Sequence, residues 1–134
     1  MESVTARAGL RIVLTILGIV MVGAGAVAVV WGAASVPREG IVTPDVDTEM
    51  RFFAVWYVVA GVLLLRAAPR VEAEGFVIRV IALGFFAAGC ARILSWVDVG
   101  RPHGGAIVLM VVELVLPIVI VPWQRAIARR SSQP

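Results

Sequence analysis

Two opposite charges sit where charge is costly. Glu113 interrupts the apolar run from Gly104 to Trp123. It lies nine residues past Gly104, roughly 13 Å along a helix at about 1.5 Å per residue. Arg92 lies six residues before Asp98 in the preceding apolar run, roughly 9 Å from that run's end. A short turn joins the two runs, so neighbouring antiparallel helices would bring Arg92 and Glu113 to similar depth. An ionised carboxylate inside apolar surroundings needs a partner, and Arg92 is the natural one. Pro117 follows Glu113 by four residues. A proline there has no N–H to donate, which leaves the Glu113 carbonyl free and predicts a kink beside the charge.

Other polar residues gather toward the same end. Glu49 and Arg51 stand at the start of an earlier apolar run, with Tyr57 about one and a half turns further in. Asp98, Arg101 and His103 line the turn before Gly104. The candidate ligand-binding set is therefore Glu49, Arg51, Tyr57, Arg92 and Glu113. The competing reading makes Arg92–Glu113 a structural ion pair that fixes helix register, and the two readings weigh about equally.

Classical catalytic sets are missing from the sequence. Ser3, Ser35, Ser131 and Ser132 fall in tails or at a helix end, and Ser95 has no His–acid pair around it. A single histidine, His103, makes no metal centre without carboxylate help. Asp45, Asp47 and Glu49 alternate as Ca²⁺ ligands sometimes do. Capping explains them better, with Asp47 or Thr48 as N-cap and acids in a first helical turn. Cys90 lies in an apolar run and reads as a small packed residue. We expect no catalytic residues, no metal and no cofactor.

Composition says what holds these residues. The 134 residues are 60% hydrophobic and 16% charged, with mean hydropathy +0.98. Soluble domains are about 45–50% apolar and about 25% charged, so lipid is the solvent for most of this chain. All twelve basic residues are arginine. Lysine is absent, which excludes Schiff-base chemistry and a lysine-dependent phosphate loop. Net charge is +3, but the arginines cluster at the ends of apolar runs, which marks orientation at a membrane and not a nucleic-acid surface.

A bilayer span needs about 20 mostly apolar residues. Four segments meet that need, at roughly 10–36, 50–68, 75–97 and 104–123. Arg51 and Arg66 bound the second, whose uncharged core is short for a span, and their side chains can snorkel to the headgroups. The first run is too long for a signal peptide, although Ala33-Ala34-Ser35 looks like a cleavage site. Pro37, Gly40 and Pro44 break the first loop, Pro69 stops the second helix, and residues 124–134 form a basic, frayed tail. The fold class is all-α, an integral membrane four-helix bundle in a single domain, 1–134.

Arginine asymmetry sets orientation. Arg7, Arg11, Arg66, Arg70, Arg79, Arg125, Arg129 and Arg130 share one side. Arg38, Arg51 and Arg101 share the other with Glu39, Asp45, Asp47, Glu49 and Asp98. Both termini are expected in the cytoplasm, in a plasma or inner membrane. Trp31 and Trp96 then fall near the outer interface and Trp123 near the inner one. Small residues at four-residue spacing, Ala24, Ala28 and Gly32 on the first helix and Gly84 and Ala88 on the third, read as intrachain packing faces.

These motifs resemble a known family. Thr48-Glu49-x-Arg51, Tyr57-x-x-x-Gly61, Gly89-x-x-Arg92-x-x-Ser95, Gly100-x-Pro102 and the late Glu113 look like the bacterial domain of unknown function 4345. There is a looser similarity to DoxX-like membrane proteins. The resemblance spans roughly residues 8–128 and implies a small four-helix membrane protein. It carries no established activity. The expected function is therefore a non-enzymatic accessory subunit or a binder of a small ligand or lipid, with its polar site in the outer half of the bundle. One alternative is a small dimeric proton-coupled transporter using Glu113. Another is a membrane enzyme acting on lipid or quinone. Membrane lipid is the expected partner, with a homo-oligomer or larger membrane complex left open and nucleic acid excluded.

Overall fold

The structure is a computed structural model that describes residues 2–36 and 41–131. Pro37 and Gly40, read as breakers of the first loop, lie outside the described residues. So do Arg38, Glu39, Ser132 and the last tail residues.

Among the described residues four helices follow one another: α1 (Glu2–Trp31), α2 (Pro44–Ala67), α3 (Gly75–Val99) and α4 (Gly104–Ser131). No strand occurs among the described residues. Each helix is long and apolar enough to cross a membrane. Short 3-10 turns, Gly32–Ser35 and Ala68–Arg70, close α1 and α2.

Three helix boundaries depart from the sequence reading, the first being α1, which begins at Glu2 and not near Leu10. α2 begins at Pro44 and not near Met50. Thr43 is its N-cap, accepting from the Val46 N–H at 3.4 Å, and Pro44 stands where the missing N–H costs nothing. Neither Asp47 nor Thr48 is the cap. Asp45 and Asp47 do occupy the first turn, where acids face the positive end of the helix dipole. At the other end of the chain, α4 runs through Pro117 and Pro122 to Ser131. The segment expected to fray is helical because Gln124 and Ile127 continue the buried stripe of Met110, Glu113, Pro117 and Ile120.

The described residues divide into two compact units. The first is residues 12–69, most of α1 with α2. Here the helices are antiparallel and meet through glycine. A Cβ on Gly61 would lie 2.9 Å from Met21 Cβ and 3.0 Å from the Gly18 carbonyl oxygen. One on Gly25 would lie 2.6 Å from Val58 Cγ2 and 3.0 Å from the Ala54 oxygen. Gly18, Gly25 and Gly32 are all buried and recur every seven residues, the period of a left-handed helix pair. The packing face on α1 therefore includes Gly32, as expected, but Ala24 is exposed.

The second unit holds α3, α4, the turn before α3 and the start of α1 up to Arg11. Gly89 packs on Leu114, whose Cγ would be 2.8 Å from an added Cβ. Gly84 and Ala88 are exposed, and nothing lies within 4 Å of a Cβ placed on Gly84. Arg7 Nε lies 2.6 Å from Glu72 Oε1, and Arg11 Nη2 lies 3.7 Å from Glu72 Oε2. Gly9 gives the Trp123 ring room, with an added Cβ only 3.2 Å away.

Candidate functional site

Arg92 and Glu113 face each other between α3 and α4. Arg92 Nε donates to Glu113 Oε2 at 2.7 Å, and Arg92 Nη2 donates to Oε1 at 3.1 Å. This is the two-point geometry that a planar guanidinium offers a carboxylate. The two ends differ in burial. The Glu113 side chain is 5% exposed and that of Arg92 is 42% exposed. Two of the five guanidinium N–H groups are thus held by the carboxylate. The other three have no acceptor among the described residues. Trp96 sits one turn beyond Arg92 and is half-buried. Pro117 is buried and offers no N–H to the Glu113 carbonyl.

Arg51 has a different occupation. Its Nε donates to Asp47 Oδ2 at 2.7 Å, and its Nη1 donates to the Val29 and Val30 carbonyls at 2.6 and 3.0 Å. Those carbonyls belong to the last turn of α1, where intrahelical donors run out. Asp47 in turn accepts from the Ala33 N–H at 2.8 Å. Gly32 sits beneath this pair with φ +53, and a Cβ there would collide with the Asp47 carboxylate. The left-handed turn therefore requires glycine. Arg51, Asp47 and Gly32 together close α1 and bind it to the start of α2.

Glu49 is exposed on α2. Tyr57 is half-buried on the same helix and has a partner of its own. Of the five candidate residues, the structure brings Arg92 and Glu113 into contact and gives Arg51 to the backbone of α1.

A third polar cluster was not singled out in the sequence. Gln124 is 1% exposed. Its Nε2 donates to the Val71 carbonyl at 3.0 Å, and its Oε1 accepts from Arg79 Nη1 at 3.1 Å. Gln124 was read as the start of a tail, so its burial had no cue beyond its spacing from Pro117, Ile120 and Ile127. No group of three or more His, Cys, Asp or Glu side chains is arranged to hold a metal among the described residues.

No curated protein and no solved structure matches the chain. Residues 9–124 match the family described as Domain of unknown function (DUF4345), a match that reaches into all four helices. With that match covering most of its length, the chain belongs to the DUF4345 family.

Proposed function

We propose that this protein is a non-enzymatic membrane protein that binds a small acceptor-bearing ligand at Arg92. The observation that carries this reading is the unequal burial of the Arg92–Glu113 pair. Glu113 holds the guanidinium by two bonds, and the Arg92 side chain remains 42% exposed. Ile93 and Leu94 are exposed beside it. A guanidinium with open donors next to apolar side chains favours a guest with a carboxylate, phosphate or carbonyl on an apolar body. The wider set read from sequence included Arg51. Its commitment to Asp47 and to the α1 carbonyls leaves Arg92–Glu113 as the anchor of the proposal.

The transporter alternative asks Glu113 to release and regain protons. Two charge-assisted bonds from Arg92 occupy both carboxylate oxygens and count against that role. Enzyme action on lipid or quinone would need a nucleophile or redox centre that the sequence does not supply. We place the protein in a plasma or inner membrane with both termini inside the cell, on the arginine asymmetry. An accessory role in a larger complex is compatible with the same site.

The test uses Trp96 as the reporter. Trp31, Trp56 and Trp123 are replaced by Phe, and the protein is reconstituted in nanodiscs. Decyl-benzoquinone supplies carbonyls and decanoate supplies a carboxylate. Saturable change of Trp96 emission by either probe is expected, and its loss in the Arg92→Leu/Glu113→Leu double variant. Equal response in that variant, or a response that never saturates, overturns the proposal.

A further inference from the structure

A groove opens along α3 and α4 at their arginine-rich end. Arg79, Leu83 and Phe86 line it from α3, and Pro117, Ile118 and Arg125 from α4. Its volume is about 360 Å³. From Arg79 to Phe86 is seven residues, so the groove extends roughly 10 Å along the helix. Leu83, Phe86 and Ile118 are all exposed. On spanning helices, such surface faces hydrocarbon.

The charges at its end lack counter-ions. Arg7 and Arg11 have Glu72, Arg51 has Asp47 and Arg92 has Glu113. Arg79 has only the neutral Gln124 amide, which orients the guanidinium without cancelling its charge. Gln124 is itself fixed by the Val71 carbonyl. Arg125 is exposed and makes no hydrogen bond or ion pair with a described residue. Two like charges on one groove repel each other, and an anion between them relieves that repulsion. The occupant must therefore carry a negative head and an apolar body, with the head at the membrane surface.

We propose that this groove holds an anionic phospholipid. Its phosphodiester lies between Arg79 and Arg125, and the start of one acyl chain lies along Phe86, Pro117 and Ile118. This site is separate from the Arg92 site, which belongs to the opposite end of the same helix pair.

Native mass spectrometry of the full-length protein in detergent tests it, with phosphatidylglycerol and phosphatidylcholine of matched chains as probes. Wild type is expected to prefer phosphatidylglycerol several-fold. Arg125→Gln and Arg79→Gln should each weaken that binding about fivefold, as one basic residue near a membrane surface contributes. Ile118→Trp should weaken it by filling the groove, and excess inorganic phosphate should not compete. Arg101→Gln, an exposed arginine at the other end, should leave it unchanged. Retained preference in Arg125→Gln overturns the proposal, as does equal loss in Arg101→Gln. Should Arg79→Gln fail to fold, Arg125→Gln decides, since that side chain is exposed and makes no hydrogen bond or ion pair with a described residue.

Discussion

Arg51 reaches the Val29 carbonyl at 2.6 Å, so a side chain early in α2 finishes the end of α1. The same guanidinium holds Asp47, and Asp47 holds the Ala33 N–H. Gly32→Ala should therefore cost about 2 kcal/mol or more, from the left-handed backbone alone and then from the collision with Asp47. Arg51→Leu should cost a similar amount by leaving helix-end carbonyls unmet. Thermal unfolding in detergent measures both. A Gly32→Ala protein as stable as wild type would contradict the clamp.

The unequal burial of Arg92 and Glu113 predicts unequal losses. Arg92→Leu strands a carboxylate that is 5% exposed and should cost about 3 kcal/mol. Glu113→Leu should cost less, because the half-exposed Arg92 can turn its charge outward. The double variant should be more stable than Arg92→Leu, with a coupling energy of roughly 1–3 kcal/mol. Strict additivity in the double-mutant cycle would show that the pair is not coupled.

Glycines on α1 and α2 should separate by position. Gly61→Ala places a methyl 2.9 Å from Met21 Cβ and 3.0 Å from the Gly18 oxygen, so the helices must part and stability must fall. Gly23→Ala meets nothing within 4 Å and should be neutral, or stabilising by up to about 1 kcal/mol from helix propensity. Melting temperatures of the two variants give the comparison directly. Similar behaviour would argue against the close crossing.

The proposed orientation is checked by cysteine labelling. With Cys90→Ala as background, Arg101→Cys should react with an impermeant maleimide from outside intact cells. Ala73→Cys should react only after the membrane is opened. The reverse pattern would invert the topology.

The spans were legible because about 20 apolar residues in a row admit few other structures. Helix starts were harder. The acids from Asp45 to Glu49 look like loop, yet Thr43 and Pro44 begin the helix before them. The depth match of Arg92 and Glu113 followed from counting residues on two helices joined by a short turn. The work of Arg51 did not, because its partners are backbone carbonyls and every residue type carries one. The glycine seam was only half visible. α1 has small residues on several faces, and choosing Gly18 and Gly25 over Ala24 requires knowing where α2 lies.

Glu72 gives Arg7 and Arg11 their partner sixty-five and sixty-one residues after they are made. At roughly 5–20 residues per second, both arginines wait several seconds on the ribosome with their charge uncancelled. Under the orientation proposed above, that interval covers the insertion of the first helix, when bare positive charge does most to decide which way it enters. Neutralisation arrives only after the decision. On that orientation the same two side chains would serve first as an address during synthesis and later as a tether to Glu72, and the order of translation would keep the second task from spoiling the first.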